Sequence, residues 1–90
     1  MKILNNTIIF KSDPVNFYKE RESLKPCTIR RISLWSELKD FESFLYRYNS
    51  HDQLYHIKII NSSTHEEFER IITDITEFEG LYLISWKHHD

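Results

Sequence analysis

The segment "LYHIKIINSSTHEEFERIITDI", residues 54–75, decides the fold, because apolar and polar side chains alternate on both sides of a polar centre. In the first run, Tyr55, Ile57 and Ile59 fall on one face of an extended chain. The central "NSSTHE" has the residue types of a turn, and "EFERIITDI" then resumes the alternation. We therefore predict two antiparallel strands joined by a loop longer than the tightest hairpin turns.

The preceding segment, "SLWSELKDFESFLYRYN" at residues 33–49, has the period of a helix instead. Its apolar side chains recur at spacings of four, three, four and three, at Leu34, Leu38, Phe41, Leu45 and Tyr48. This pattern predicts an amphipathic helix packed on the core, with Trp35 and Phe44 widening the apolar stripe. Ser33 or Ser36 can cap its start, and Asn49 can end it.

A strand and a shorter helix are predicted nearer the N-terminus. "TIIF" at residues 7–10 is rich in β-branched side chains and is typical of a strand. Asp13 suits a helix N-cap and Pro14 the first helical position, so a helix should begin there and end before Pro26. Its apolar side should consist of Val15, Tyr18 and Phe17.

Two more strands complete the prediction. "CTIRRI" at residues 27–32 should place Thr28, Arg30 and Ile32 on one face of a strand. "GLYLISW" follows the only glycine, Gly80, and has apolar residues on both faces, as in a strand near the middle of a sheet. The order β-α-β-α-β-β-β predicts an α+β domain with a mainly antiparallel sheet of about five strands, curled toward a small barrel, and two helices.

Length and cysteine content bound the class of protein. A chain of 90 residues encloses one core, so we expect a single domain over residues 1–90. Cys27 alone cannot form an internal disulfide, and no secretory signal or apolar run of membrane-spanning length is present, which indicates a reducing cytoplasm. The histidines have no metal-ligand spacing with Cys27, and one glycine cannot build a phosphate loop. We predict neither metal nor cofactor.

The net charge of −2 conceals an asymmetry along the chain. Residues 1–50 carry nine basic and six acidic side chains, net +3, whereas residues 51–90 carry three and eight, net −5. A protein that binds nucleic acid over its whole surface is usually strongly basic. Any nucleic-acid site in this chain must therefore be local.

The segment "LKPCTIRR", residues 24–31, gathers Lys25, Arg30 and Arg31 around the hydroxyl of Thr28. A lysine can activate a threonine hydroxyl when desolvation or neighbouring cations lower the lysine pKa. Guanidinium groups equally suit phosphate or the edge of a base, although Arg31 lies on the opposite strand face from Thr28. These residues alone are compatible with catalysis, with ligand binding, or with a solvated strand whose cations pair with carboxylates.

The spacing K-x-x-T-I-R at Lys25, Thr28, Ile29 and Arg30, directly after a strand and a helix, resembles the signature region of ASCH domains. ASCH domains are small PUA-like β-barrels associated with recognition of RNA and nucleobases. The closing "LYLISW" is also similar to the last strand of that family. The resemblance implies that a cleft at Lys25, Thr28 and Arg30 binds RNA, a nucleotide or a nucleobase.

Small ASCH amidohydrolases deacetylate acetylated cytidine with a lysine, a threonine and a later glutamate. Similarity to these enzymes implies a catalytic set of Lys25, Thr28 as the nucleophile, and either Glu77 or Glu79. The predicted helix over residues 34–48 stands where ASCH domains usually have a Gly-Asp turn. We therefore expect binding rather than catalysis.

A third hypothesis assigns the function to the acidic hairpin. In size and composition the chain looks like small phage-encoded proteins of low-GC Gram-positive bacteria. Such a protein can inhibit a host nucleic-acid or defence enzyme by imitating the charge of nucleic acid, and its partner is then a host protein. The acidic side chains that would do so are Glu66, Glu67, Glu69, Asp74, Glu77 and Glu79.

Overall fold

The computed structural model describes residues 1–22, 24–49 and 54–87. These residues form two helices and a mostly antiparallel six-stranded sheet, so the predicted α+β class is confirmed. In chain order the elements are β1 (Lys2–Leu4), β2 (Thr7–Ser12), α1 (Pro14–Arg21), β3 (Cys27–Arg31), α2 (Trp35–Arg47), β4 (His56–Asn61), β5 (Glu67–Phe78) and β6 (Leu81–Trp86). Neither helix is both long and apolar enough to cross a membrane.

The strands are ordered β1-β2-β4-β5-β6-β3, so β1 and β3 are the two edges of the sheet. All pairings are antiparallel except that of β2 with β4, which is parallel. The first part of β5 pairs with β4 and the second part with β6, and a register shift between Ile72 and Asp74 separates the two parts. A bulge of this kind bends a strand and increases its twist, which lets the sheet curl. The sheet remains open between its edges.

The predicted hairpin is confirmed as β4 and β5, although β5 continues three residues beyond the predicted end, to Phe78. The β5–β6 connection has two residues, Glu79 and Gly80, with φ angles of 51° and 80°. Two positive φ angles are typical of the type I′ turn that suits the twist of a hairpin. β6 lies between β5 and β3, as expected for its apolar sequence.

The first strand, β1, was not predicted. It has only three residues and pairs with residues 7–9 of β2 through a tight turn at Asn5, whose φ is 54°. So short a segment has no periodicity to detect, and its pairing depends on the strand that follows it. Because β1 covers only the first half of β2, the second half of β2 is left open toward β3.

Each helix contributes aromatic side chains to the core. Phe17 of α1 packs against Phe68, with 5.4 Å between ring centroids. Phe41 of α2 lies 4.6 Å from Tyr82, and Phe44, also of α2, is fully buried. The core therefore lies between the sheet and the two helices.

Helix α1 begins as predicted but presents a different face. The Asp13 carboxylate accepts a hydrogen bond from the backbone N–H of Asn16, and Pro14 follows it. The prediction of the apolar side was wrong for Val15, which is 64% exposed, and for Tyr18. The prediction is confirmed for Phe17, which is buried together with Glu20 because the two lie three positions apart on the helix face that meets the sheet.

Helix α2 is confirmed, but its first turn differs from the prediction. Neither candidate serine caps it; Leu34 occupies the N-cap position, without a capping side-chain hydrogen bond. Leu34 and Trp35 are exposed, the latter by 77%, whereas Phe41 and Phe44 are fully buried. The buried stripe therefore starts one turn later than the spacing of the apolar residues predicts.

Candidate functional site

A polar cavity of about 210 Å³ lies where the end of β2, helix α1 and strand β3 meet. The three residues singled out by the sequence motif, Lys25, Thr28 and Arg30, all line it. The remaining lining residues are Lys11, Ser12, Asp13, Asn16, Glu20 and Ile29. The structure thus brings the motif together with two carboxylates, that of Glu20 in α1 and that of Asp13 at the N-cap of α1.

Arg30 organises the cavity. Its Nε donates to Thr28 Oγ1 at 2.9 Å, its Nη1 to the backbone oxygen of Lys11 at 2.8 Å and its Nη2 to Ser12 Oγ at 2.6 Å. The guanidinium carbon lies 4.7 Å from the ring centroid of Phe10, which places the cation over an aromatic face. These contacts join β3 to β2 across the open side of the sheet.

Glu20 is the buried carboxylate of the cavity, with only 1% of its surface exposed. One of its oxygens accepts a hydrogen bond from Ser12 Oγ at 2.9 Å. Because Ser12 Oγ also accepts a hydrogen bond from Arg30, this hydroxyl links the guanidinium to the carboxylate. A buried carboxylate is tolerated when it is hydrogen-bonded and a cation lies nearby.

Burial lowers the pKa of the Arg30 guanidinium, and the negative charges of Glu20 and Asp13 act in the opposite direction. The group still carries its charge at neutral pH, as an arginine side chain does in proteins. The cavity therefore contains a permanent cation beside a buried carboxylate.

Thr28 is buried, and its oxygen accepts the Arg30 Nε–H bond, so its own hydroxyl proton is directed elsewhere. Lys25 is half-buried between the end of α1 and β3, and its backbone N–H donates to the carbonyl oxygen of Lys19 at 3.2 Å. This bond and the N–H of Leu24, which donates to the same oxygen, fold the chain back at the end of the helix. Lys25 is thereby placed at the cavity.

The other residues named from the sequence lie elsewhere. Glu77 near the end of β5 and Glu79 in the following turn are exposed, and neither lines the cavity. Arg31 points to the opposite face of β3 from Arg30, with its Nη1 close to the β5–β6 turn. Their proposed roles in catalysis or binding stay predictions.

Sequence reasoning missed Glu20 and Ser12. The available signal was weak. Glu20 follows Phe17 by three positions and thus shares its helix face, and Ser12 follows Phe10 by two positions and thus shares its face of β2. A charged residue in a short helix is normally assigned to solvent. Only the approach of β3 to β2 shows why these two polar side chains face inward.

Several carboxylates of the acidic hairpin are paired with basic or hydroxyl groups. Glu66 accepts hydrogen bonds from Tyr18, Arg21 and Thr64. Lys58 lies 3.5 Å from Glu67, and His56 lies 2.6 Å from Glu69. This pairing reduces the negative charge that the hairpin would present to a partner.

No protein-family model matches the chain, and no curated protein matches it. Among the residues that the structure describes, no group of three metal-ligating side chains lies together. The fold and the cavity are therefore the observations from which function must be argued.

Proposed function

We propose that this chain is a small ASCH-like protein that recognises a nucleobase, as part of RNA or of a nucleotide, in the cavity at Lys25, Thr28 and Arg30. The observation that supports this most directly is that the three motif residues line one polar cavity together with the buried Glu20. A set of convergent polar groups in a concave site is what fixes the orientation of a small ligand.

The chemistry of the lining suits the edge of a base. The ammonium group of Lys25 donates, and the hydroxyl of Thr28 has a proton that its bond to Arg30 does not use. Arg30 uses three of its five N–H groups in the contacts described above, which leaves two for a ligand. Bases present carbonyl oxygens and ring nitrogens as acceptors along the edges that single-stranded RNA exposes.

The size of the cavity favours a base over a larger ligand. Sites for drug-sized molecules usually enclose about 300–1,000 Å³, whereas this cavity encloses about 210 Å³. We therefore expect the base to occupy the cavity and the sugar and phosphate to lie outside.

Binding of cytidine, uridine, adenosine and guanosine, measured by calorimetry or NMR titration, tests the proposal. Lys25→Ala and Thr28→Val should each lower the affinity for the preferred nucleoside by about tenfold, which corresponds to the loss of one hydrogen bond to a charged or buried group. Lys19→Ala and Thr73→Val, at exposed positions outside the cavity, are the matched controls. Affinities that are equal in all four variants would rule out the cavity as the binding site.

Amidohydrolysis of acetylated cytidine is a second candidate, favoured by the presence of a lysine, a threonine hydroxyl and a buried carboxylate in one cavity. In this scheme Lys25, in its neutral form, takes the proton of Thr28, whose oxygen attacks the acetyl carbonyl carbon. The amide C–N bond breaks, a carboxylate passes the proton taken by Lys25 to the leaving amino group of cytidine, and the acetyl group is left as an ester on Thr28. Water then hydrolyses the ester to acetate and restores the threonine.

Release of cytidine from its acetylated form, followed by chromatography, tests this second candidate. Turnover should be lost in Lys25→Ala and Thr28→Val. Comparing Glu20→Gln with Glu77→Gln and Glu79→Gln identifies the carboxylate, and the geometry favours Glu20. No release at high protein concentration would reject the enzyme and leave the binding proposal to its own test.

A further inference from the structure

A second and larger depression, of about 530 Å³, lies on the other side of Arg30 from the cavity. The start of β1, the second half of β2 and the end of β3 border it, together with the first turn of α2. Phe10 and Ile32, both buried, contribute apolar surface to it. We call this depression the basic groove.

Cations surround the basic groove. Lys2, Lys11 and Arg31 are exposed and line it, and Arg30 is also part of its wall. Its one lining carboxylate among the described residues, Glu37, forms an ion pair with the amino group of Met1 at 3.3 Å. In a chain of net charge −2, this is a local concentration of positive charge on a concave surface.

The basic groove adjoins the cavity. Lys11 and Arg30 line both, and the hydrogen bond from Arg30 Nη1 to the Lys11 carbonyl oxygen lies between them. A nucleotide whose base fills the small cavity must place its sugar and phosphate outside. The neighbouring concave surface then offers cations to those phosphates, and to the phosphates of adjoining nucleotides.

We propose that the basic groove binds the phosphodiester backbone of a single-stranded nucleic acid whose base occupies the cavity. This inference rests on the proposed function and extends it, because it makes the ligand a polynucleotide and not a free nucleoside. The strand is single because a base held in a duplex is stacked and paired, so that its edge is not free to enter the cavity. Charge complementarity favours an anionic occupant, and the adjoining base-sized cavity favours a nucleic acid over an acidic protein segment.

Fluorescence anisotropy of a short labelled single strand tests the inference, with RNA and DNA of the same sequence as separate arms. The double variant Lys2→Gln with Arg31→Gln removes two cations of the basic groove that do not line the cavity. The double variant Lys39→Gln with Lys87→Gln removes the same charge from exposed positions outside both sites. Cytidine binding is measured in parallel for each protein.

The Lys2/Arg31 variant should bind the strand about tenfold more weakly than the Lys39/Lys87 variant. The plot of log affinity against log salt concentration has a negative slope, which should become shallower by about 0.7 for each phosphate contact that is lost. The ratio of strand affinity to cytidine affinity should therefore fall in this variant alone. A preference for the RNA arm or the DNA arm identifies the type of strand.

Equal strand affinity in the two double variants would overturn the role of the basic groove while leaving the cavity intact. Strand affinity that falls in the Lys2/Arg31 variant but is unchanged by Lys25→Ala would instead overturn the proposal that one strand occupies both sites, because the base would then not bind in the cavity. Failure of Lys25→Ala to weaken binding of any of the four nucleosides would count against the proposed function itself. The two proposals therefore fail in distinguishable ways.

Discussion

Arg30 Nη2 donates to Ser12 Oγ at 2.6 Å, and this bond joins β3 to β2 although three strands separate them in the sheet. The sheet is therefore curled enough for its edge strand to meet the uncovered half of β2. Both the cavity and the basic groove are formed along this junction, on either side of the Arg30 side chain. The same contact thus shapes the fold and the candidate site.

The Ser12 hydroxyl should matter for stability beyond its size. Ser12→Ala leaves Arg30 Nη2 and the buried Glu20 carboxylate without their shared partner. We expect the free energy of unfolding to fall by about 2 kcal/mol, as when a buried charged group loses a hydrogen bond. Urea denaturation measures it, and Ser43→Ala, on the exposed face of α2, should change stability by no more than about 0.5 kcal/mol. Equal changes in stability for Ser12→Ala and Ser43→Ala would show that the hydrogen bonds of Ser12 to Arg30 and Glu20 do not stabilise the fold.

The buried face of α1 can be tested by truncating two of its apolar residues. Phe17 is fully buried against Phe68, so Phe17→Ala should cost about 3–5 kcal/mol. Val15 is largely exposed, so Val15→Ala should change stability by no more than about 0.5 kcal/mol. Thermal or urea unfolding compares them. A large loss with Val15→Ala would support the helix face predicted from the sequence instead.

The β5–β6 turn should be improvable. Glu79 has a φ of 51°, which asparagine tolerates better than glutamate, and Asn-Gly is a favoured type I′ pair. Glu79→Asn should therefore raise the free energy of unfolding by about 0.5 kcal/mol.

The adjacent Gly80→Ala should destabilise the protein by about 1 kcal/mol, because alanine is strained at a φ of 80°. An added Cβ would lie 3.7 Å from Arg31 Nη1, an ordinary contact, so strain and not a clash causes the loss. Urea denaturation measures both variants. Destabilisation by Glu79→Asn would contradict the assigned turn.

Acid should weaken the fold partly through two carboxylates. Hydrogen bonds from the backbone and side chain of Asn16 lower the pKa of Asp13 below its ordinary value, and hydrogen bonds from Thr64 and Tyr18 do the same for the pKa of Glu66. Because each pKa is lower in the folded state, the unfolded chain binds the proton more readily. The stability that the carboxylates contribute is complete above their unfolded pKa values and is lost as the pH falls through the folded ones.

Urea midpoints measured between about pH 6 and about pH 2 test this prediction. The double variant Asp13→Asn with Glu66→Gln should lose less stability over this interval than the wild type, because its amides do not titrate. Both new amide oxygens still accept hydrogen bonds, so the variant should remain folded at neutral pH. Parallel curves would exclude the two carboxylates as the cause of acid sensitivity.

Periodicity predicted the elements with regular patterns. The β4–β5 hairpin, α2 and the start of α1 at Asp13 follow from side-chain alternation, helical spacing and capping chemistry. The alternation from residue 27 to 32 also placed Thr28, Arg30 and Ile32 on one face; Thr28 and Arg30 are the inward residues of β3, and Ile32, one position beyond its end, is buried as well. In each case the signal is local, because neighbouring residues determine which conformation the backbone adopts.

Non-local contacts were not predictable in the same way. The parallel pairing of β2 with β4, the short β1 and the burial of Glu20 each depend on segments distant in the chain. Glu20 illustrates the reason: its carboxylate is buried because Ser12 donates to it and Arg30 lies nearby, and neither contact is visible from the helix sequence.

By itself, then, the sequence determined the class of fold, the inward face of β3 and the motif at Lys25, Thr28 and Arg30. Tertiary structure alone decided that Glu20 joins this motif, and that Glu77 and Glu79 do not. It also decided that Arg31 and Lys2, remote in sequence, border one groove. The physical reason is that the backbone pattern is set by short-range sterics and burial, whereas a site is assembled by the curl of the sheet.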